Sequence, residues 1–429
     1  MSTRALVLFG GLLLLVLGVN FVMGTPYTVR MCVEALALSI VVLGLNIQWG
    51  YGGLFNFGVM GLMMVGGYAG MAMSVPLNID FWNSDGPMLL GRAILAAGLG
   101  AVLIVLAHQA KRIGIRGKLG AVLKVAAWFI AYVGYRSQID PAADYIEATS
   151  GFVGGLGLPV FVGWAFGAVL AGGVAYVIGN IALGLRTDYL AIATIGISEI
   201  LRALIKNMDW LTRGTLTVSP IPWPTPLPQE LQADGMAIDH SFIVARLFYF
   251  LLLLGVVLVI LFLVERAYKG PWGRMMRAIR DNHVAAAAMG KDVKTRQREL
   301  FVFGAALMGL GGAVLVSFAQ IFDPAGYQPI NHTFIIWVMV IVGGAGNNYG
   351  ALFGAIFIYI VWVISEPLAT ALFMTVSDWS DQMGWGAIPE IQSRALQMRV
   401  FVLGAVITVA LRYAPQGLLP EVIGGKRRT

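Results

Sequence analysis

The sequence has little of what a soluble enzyme of its length requires. Only 12% of the 429 residues are charged, one is cysteine and four are histidine. The single cysteine, Cys32, excludes an intrachain disulfide and a cysteine metal cluster. The histidines are scattered, and no Ser/His/Asp, paired-carboxylate or metal-ligand pattern stands out around them. We therefore expect no catalytic residue, no metal site and no bound cofactor in this chain.

Long apolar runs take the place of these polar groups. Hydrophobic residues make up 58% of the chain, which leaves too little polar surface to cover a soluble globule. A helix crosses the roughly 30 Å hydrocarbon core with about 20 apolar residues, and its backbone groups pair within the helix. The sequence therefore predicts an all-α fold, a polytopic transmembrane helical bundle that forms a single domain over 1–429. We place about 12 spans (10 to 12) near 5–23, 31–49, 52–74, 88–108, 119–138, 158–184, 188–206, 242–265, 299–321, 333–348, 350–374 and 398–414.

Basic residues distinguish the two sides of this bundle. With the N-terminus inside, the inside connectors carry eighteen Lys or Arg, whereas the outside connectors carry only Arg30, Arg213 and Arg394. By the positive-inside rule both termini are cytoplasmic, as expected for a multi-pass protein of the bacterial inner membrane. The net charge of +7 then reflects topology and predicts no nucleic acid partner. The inside positions are Arg4; Lys111, Arg112, Arg116 and Lys118; Arg186; nine between Arg266 and Arg298; and Lys426, Arg427 and Arg428.

Two glycine-rich segments interrupt the apolar pattern. The first reads GYGGLFNFG over 50–58 and the second reads GGAGNNYGALFG over 343–354, and amides in or beside them need partners inside a membrane. Tight helix packing with a short turn explains such a segment, and so does a partly unwound stretch that lines a transport pathway. The sequence leaves both interpretations open. The candidate pathway residues are Asn46, Tyr51, Asn56, Ser198, Glu199, Asn347 and Asn348.

Glu199 is an ionisable residue inside a predicted span. Such a position is costly in lipid and usually faces protein or water. Arg202 follows at i+3, so the two side chains can pair on one helix face. The pair either neutralises itself while the helix packs, or forms a polar point on the pathway or at a subunit interface.

A long polar stretch over 266–298 lies on the predicted cytoplasmic side. Its segment PWGRMMRAIRDNHVAAAAMG predicts one helix of about four turns that ends at Gly290. Arg274, Arg277 and Asp281 follow one face of this helix, and methionines with an isoleucine form an apolar edge. A helix of this kind either lies on anionic lipid or offers the surface on which a soluble partner acts.

Four separated motifs give the chain a resemblance to a known family. They are LGLNIQWGYGGLFNFGVMGLMMVGGYAGMAM; LRTDYLAIATIGISEILRAL; GRMMRAIRDNHVAAAAMGKDV with the following FVFGAALMGLGGAVLVSFAQIFDP and IVGGAGNNYGALFGA; and APQGLLP. In this order they resemble the inner-membrane permease subunits of branched-chain amino acid ABC importers, in particular the M-type subunit. The resemblance covers most of residues 30–75 and 155–425.

This resemblance implies a heteromeric, ATP-driven importer of branched-chain or related hydrophobic amino acids that works by alternating access. The implied partners are a second permease subunit in a heterodimer, two cytoplasmic ATPase subunits and a periplasmic solute-binding protein. ATP is then bound by the ATPase subunits, in agreement with the absence of a Gly-x-x-x-x-Gly-Lys-Ser/Thr string from this chain. A permease for urea, amides or other amino acids is an alternative, and so is an ion-coupled secondary transporter.

The ATPase-contacting loop of the family falls on the polar stretch 266–298 and favours the docking interpretation of its helix. Asn282 and His283 depart from the acidic residues expected in that loop. We therefore expect ATPase coupling through this surface, although its charge pattern differs. The coupling residues so implied, together with Arg277 on the same helix, are Gly273, Arg274, Ala278, Ile279, Arg280, Asp281, Ala285, Ala286, Met289 and Gly290.

Two further segments stand apart from the family pattern or from the spans. Residues 88–138 look like an inserted helical hairpin, whose expected role is peripheral packing. The outer connector 207–241 has proline at every second position from 220 to 228, which predicts an extended, polyproline II-like path. It is either a plain spacer or a docking surface for the solute-binding protein. Acidic loops at 139–149 and 375–390 are candidates to extend that surface.

Overall fold

The computed structural model describes residues 3–110, 118–384, 386, 390–423 and 426–427, and within them the predicted all-α class is confirmed. The predicted inside positions Lys111, Arg112, Arg116 and Arg428 lie outside the described residues. The helices are α1 Thr3–Met23, α2 Thr25–Leu45, α3 Val59–Ser74, α4 Ile79–Trp82, α5 Gly86–Gln109, α6 Lys118–Ser150, α7 Val160–Ala182, α8 Thr187–Lys206, α9 Asp209–Thr212, α10 Pro228–Ala233, α11 Ile238–Lys269, α12 Pro271–Asp281, α13 His283–Ala288, α14 Val293–Ala319, α15 Ile335–Gly343, α16 Asn348–Gln382 and α17 Ile391–Tyr413. Asn46–Tyr51 and Ile330–Phe334 form π-helical turns, and β1 Val422–Ile423 pairs with β2 Lys426–Arg427 in antiparallel fashion.

Nine helices in the described part of the chain are long and apolar enough to cross a membrane. They are α1, α2 with its π-helical turn, α5, α6, α7, α11, α14, α16 and α17. Helices α3 and α15 are apolar but shorter, and α8 has sufficient length but carries four charged residues. Each predicted span overlaps a helix, although residues 52–58 of one span and 344–347 of another are not helical. The number of helices that cross the bilayer stays a prediction.

Helices α2, α3, α7 and α14 form the centre of the bundle. Helix α2 is apolar on all sides and buries almost every residue of its second half, as expected for a helix surrounded by others. Small residues let the neighbouring backbones approach closely. A Cβ added at Gly66 of α3 would overlap the backbone of Gly309 in α14, and one added at Gly167 of α7 would lie 2.8 Å from the Gly66 carbonyl oxygen.

The predicted hairpin forms α5 and α6, which pack mainly against each other at the edge of the bundle. Helix α6 continues to Ser150, so the prediction of an acidic loop at 139–149 is wrong. The acidic residues there are compatible with a helix, and one of them, Asp140, forms an i,i+4 ion pair of 2.9 Å with Arg136. The first part of the second acidic loop, predicted at 375–390, is likewise helical, since α16 ends at Gln382.

The proline-rich connector 207–241 lies against the bundle. Val218 and Phe322 exchange two backbone hydrogen bonds of 3.0 Å. Trp223 donates from Nε1 to the Phe318 carbonyl oxygen at 3.1 Å, and its indole stacks on the Phe318 ring with 5.6 Å between centroids. Trp223 is therefore part of the packing of this connector, and the docking role of the connector stays a prediction.

The glycine contact between α3 and α14 gives a first test. We expect Gly66→Ala to lower the free energy of unfolding by about 1–3 kcal/mol, because the new methyl group overlaps a backbone that cannot move away. Gly173→Ala in α7 is the matched control, since nothing lies within 4 Å of an added Cβ there. Its effect should be neutral or slightly stabilising. Denaturant unfolding of both variants in detergent measures the difference, and equal stabilities would contradict the close-packing argument.

Candidate functional site

The first glycine-rich segment is a break between α2 and α3 inside the bundle. The chain forms a π-helical turn over Asn46–Tyr51, is irregular over 52–58 and becomes helical again at Val59. Such a break removes backbone N–H groups from the helical ladder, and each one left buried without an acceptor costs about 1–3 kcal/mol. The turn itself supplies some of the missing acceptors, and side chains from other elements supply others.

Two hydroxyl groups of α8 bind the backbone at the start of α3. Thr194 Oγ1 accepts from the Phe57 amide at 2.9 Å, and Ser198 Oγ accepts from the Gly61 amide at 2.8 Å. Both hydroxyl residues are buried against α3. The candidate pathway residue Ser198 therefore holds the end of the break, one helical turn after Thr194.

The second glycine-rich segment breaks the chain between α15 and α16, and it contacts the first break directly. Asn46 joins the two, because its Oδ1 accepts from the Gly346 amide at 2.8 Å while its Nδ2 donates to Asn348 Oδ1 at 3.2 Å. The Tyr51 hydroxyl donates to the same Asn348 oxygen. Asn348 Nδ2 in turn donates to Glu265 Oε2 at 2.7 Å. Asn46, Tyr51 and Asn348 thus share one network that is buried within the chain.

Asn56 and Gln48 form a separate hydrogen-bonded pair that connects the first break to α14. Asn56 Nδ2 donates to Gln48 Oε1 at 2.8 Å, and Gln48 Nε2 donates to the Phe301 carbonyl oxygen at 2.7 Å. The Asn56 carbonyl oxygen accepts from Trp337 Nε1 at 3.0 Å. A Cβ added at Gly304 would lie 2.5 Å from Gln48 Cγ, so a glycine of α14 makes room for the amide.

Asn347 binds the C-terminal segment that follows α17. Its Nδ2 donates to the carbonyl oxygens of Leu419 and Pro420 at 3.1 and 3.3 Å. The Leu419 amide also donates to the Gly343 carbonyl oxygen at 2.9 Å. The APQGLLP motif therefore lies along the second break and satisfies part of its backbone.

Glu199 lies away from the network. It forms the ion pair with Arg202 that the i,i+3 spacing allows, at 3.3 Å, and its side chain is 44% exposed in the isolated chain. The structure thus joins Asn46, Tyr51 and Asn348 in one network. Asn56, Asn347 and Ser198 make separate hydrogen bonds at the two breaks, and Glu199 forms a hydrogen bond to neither break. The pathway role of all seven stays a prediction.

The polar stretch 266–298 contains two short helices, α12 and α13, and the prediction of a single four-turn helix there is wrong. Asn282 has an extended conformation, with φ −155° and ψ 96°, and its side chain accepts from the Ala285 amide at 3.0 Å. Asparagine is a preferred helix N-cap, so it ends α12 and begins α13. Gly290 has φ +76° just after α13, in agreement with the predicted helix stop.

The predicted coupling residues divide by exposure. Helix α12 buries one face against the bundle, whereas α13 is exposed apart from Ala286, and Met289 just beyond it is 81% exposed. Exposed apolar side chains of this kind are typical of contact surfaces. The exposed members are Arg274, Ala278, Asp281, Ala285, Met289 and Gly290; Arg277 and Arg280 are intermediate in exposure; and Gly273, Ile279 and Ala286 are buried.

Arg280 connects α12 to the first break. Its Nη1 donates to the Gly50 carbonyl oxygen, and its Nη2 lies 3.0 Å from Glu421 Oε2. Glu421 also accepts from the Tyr268 hydroxyl, and the Tyr268 ring stacks on Tyr51 with 4.0 Å between centroids. The Arg280 and Glu421 side chains are only 12% and 6% exposed, so removing either one leaves a poorly solvated charge. A surface helix is thus bonded directly to the unwound segment.

Sequence reasoning missed several members of this site, among them Glu265, Tyr268 and Glu421. Glu265 and Tyr268 stand at the end of a long apolar run, where charged and aromatic residues are common in membrane helices. Glu421 directly follows the APQGLLP motif, and that position is its only sequence signal. Within the described ranges, no group of three or more His, Cys, Asp or Glu is placed to hold a metal ion.

Comparisons with a family model and with individual proteins point to the same family. The family model for the branched-chain amino acid transport system permease component matches residues 27–411. The chain is similar to the high-affinity branched-chain amino acid transport system permease proteins LivM of Escherichia coli K12 (26% identical over 265 residues, 59% of this chain and 55% of the relative) and Salmonella typhimurium LT2 (25% over 293 residues, 65% and 56%). It is also similar to the probable LivM of Methanocaldococcus jannaschii (26% over 258 residues, 59% and 67%). The match thus spans a little over half the length of the two enterobacterial relatives. No solved structure matches the chain.

The network between the two breaks can be tested by one substitution. Asn348→Ala removes the partner of the Asn46 amide, the Tyr51 hydroxyl and the Glu265 carboxylate, so we expect a loss of about 1–3 kcal/mol in stability. Asn207→Ala is the control, because that side chain is exposed and bonds only to its own helix, at Ala203 O. Thermal unfolding in detergent compares the two. A midpoint as high for Asn348→Ala as for the control would mean that the network contributes nothing to the fold.

Proposed function

The chain belongs to the branched-chain amino acid transport permease family, and on that premise we propose that it is the membrane-spanning permease subunit of an ATP-driven importer. The proposed substrates are branched-chain or related hydrophobic amino acids, because the relatives are named for that transport. The proposed location is the bacterial inner membrane with both termini in the cytoplasm, as the basic connectors indicate. The chain itself has no enzymatic role in this proposal, and partner subunits bind and hydrolyse ATP.

One observation carries the proposal: the bond between Arg280 and the Gly50 carbonyl oxygen. An imported solute must pass through the bundle, whereas ATP is used outside it, so a permease needs a connection between a cytoplasmic surface and its interior. Helices α12 and α13 offer the surface. Arg280 transmits a displacement of α12 to the first break, and Asn46 transmits it to the second break.

The partners that we propose follow the same geometry. Two ATPase subunits serve the importer, and one docks on the exposed face of α13 and on the solvent side of α12. The side chains of the network between the breaks are buried within this chain. A second permease subunit of similar fold therefore contributes the other wall of the pathway. A periplasmic solute-binding protein docks on the opposite face, where the connector 207–241 lies.

Alternating access then requires two arrangements of the breaks. Irregular backbone is tolerated in a membrane where it is buried in protein or lines a cavity, and broken helices at such places form the pathways of many transporters. ATP closes the ATPase pair and the loaded binding protein engages the opposite face. Each must favour a different arrangement, since a ligand shifts an equilibrium only by its differential affinity.

The ATPase contact can be tested on α13 without disturbing the bundle. We expect Ala285→Glu to lower co-purification of the ATPase subunits and transport in proteoliposomes by at least about tenfold, because a charge enters an apolar contact. Ala285 is exposed at the start of α13, where a carboxylate is compatible with the helix. Thr187→Glu is the matched control, because Thr187 is exposed in the first turn of α8, on the same predicted side and outside both proposed docking surfaces. Full assembly and transport in Ala285→Glu would contradict docking at this surface.

A second substitution separates docking from coupling. Arg280→Gln removes both the bond to Gly50 and the ion pair with Glu421, but it leaves the exposed face of α13 unchanged. We therefore expect ATPase subunits to bind and hydrolyse ATP while transport falls by about tenfold. Arg296→Gln, which affects only an ion pair with Glu299 on α14, controls for the loss of charge. Undiminished ATP-dependent transport in Arg280→Gln would contradict the proposed connection between α12 and the first break. Transport without any ATPase subunit would instead favour an ion-coupled transporter.

A further inference from the structure

A cavity of about 400 Å³ opens where the ends of α1, α11, α12 and α16 meet. The C-terminal segment closes one side of it at Leu419. Four cationic side chains line the cavity, and only two carboxylates, Glu265 and Glu421, accompany them. The cations are Arg4, Lys269, Arg274 and Arg277.

Both carboxylates have cationic partners, so they do not neutralise the three arginines. Glu265 pairs with Lys269 at 3.0 Å, and Glu421 pairs at 3.0 Å with Arg280, which does not line the cavity. Within the described part of the chain, no carboxylate lies within ion-pair distance of the three arginines that line the cavity. The cavity therefore has an excess of guanidinium groups.

The contacts of these arginines leave donors available. Arg274 Nη1 donates to the Lys269 carbonyl oxygen at 3.3 Å, a long bond, and Arg277 lies over the Tyr268 ring at 4.4 Å from its centroid. A guanidinium group has five N–H donors, so these contacts use only some of them. Planar guanidinium donors match the oxygens of a phosphate group, in two-point contacts that are stronger than neutral hydrogen bonds.

The position of the cavity indicates where such a phosphate comes from. Arg4 is in the first turn of α1, and the following residues Leu6 and Val7 are 61% and 68% exposed, as expected for a surface that faces acyl chains. A basic pocket between helices at the cytoplasmic surface of a membrane is a typical site for an anionic lipid head group. We propose that this cavity binds the phosphate of an anionic phospholipid of the cytoplasmic leaflet.

The bound head group has a consequence for α12. Two of its ligands, Arg274 and Arg277, belong to the helix that carries Arg280. A lipid held by these arginines and by Arg4 ties α12 to α1, so it orients the proposed coupling surface before any ATPase arrives. The inference rests on the proposed function for the cytoplasmic orientation alone, and the binding of lipid does not depend on transport.

Native mass spectrometry of the full-length chain tests this proposal without ATPase subunits. The purified chain is titrated with phosphatidylglycerol, and with phosphatidylcholine as the zwitterionic reference. We expect the double variant Arg4→Gln and Arg274→Gln to bind phosphatidylglycerol about 30-fold more weakly, since each basic residue contributes about fivefold near an anionic head group. Arg4→Lys with Arg274→Lys should restore most of the binding, because it restores both charges.

The control variant also removes two positive charges from the predicted cytoplasmic side of the protein. Arg186→Gln with Lys291→Gln changes two exposed residues of cytoplasmic connectors outside the cavity and should leave lipid binding unchanged. An equal loss in both double variants would show nonspecific attraction to the basic surface and overturn the site. Arginine-dependent binding of inorganic phosphate, without retention of phosphatidylglycerol, would overturn the lipid assignment. A failed transport assay would leave these results unaffected.

Discussion

Every backbone amide and carbonyl inside a hydrocarbon phase needs a partner within the protein, because water is absent and each unpaired group costs several kcal/mol. An unbroken helix meets this requirement alone. In this chain the helical path is interrupted twice in the interior of the bundle. The surrounding elements are arranged so that they supply hydrogen-bond partners at these two breaks. Hydroxyl groups of α8 bind the amides at the start of α3, the Asn46 side chain binds an amide of the second break, and the C-terminal segment pairs with the end of α15.

The same partners make the two breaks one unit. Asn46 cannot keep both of its hydrogen bonds if one break moves without the other, and Gly50 permits the approach because a Cβ there would lie 2.5 Å from the Gly346 amide nitrogen. The bond from Arg280 brings the surface helix α12 into this unit. A ligand-driven transition requires an element that has two discrete arrangements and a binding surface on the outside of the protein. The structure therefore offers a physical connection between the surface where the ATPase is proposed to act and the interior.

The sequence left two interpretations of the amphipathic segment, contact with anionic lipid and contact with a soluble partner, and the structure makes them compatible. Arg274 and Arg277 of α12 line a basic cavity beside α1, whereas α13 exposes alanines to solvent and Met289 is exposed just beyond it. The proposed lipid site and the proposed protein contact thus occupy adjacent parts of one segment. Asn282 makes this division possible, since its N-cap turns α13 away from the direction of α12.

The sequence alone determined the fold class, the position of each long helix and the family, because apolar length and separated motifs are properties of the chain itself. It also marked both breaks, since clustered glycines and amides are unusual in apolar runs. It did not determine how these segments meet. The pairing of Asn46 with Asn348 and the bond from Arg280 to Gly50 join residues 302 and 230 positions apart, and no local pattern encodes such a distance. Glu421 became part of the site only when folding placed the last motif against the second break. Tertiary structure decided these contacts because buried polar groups take whichever partner packing brings within reach.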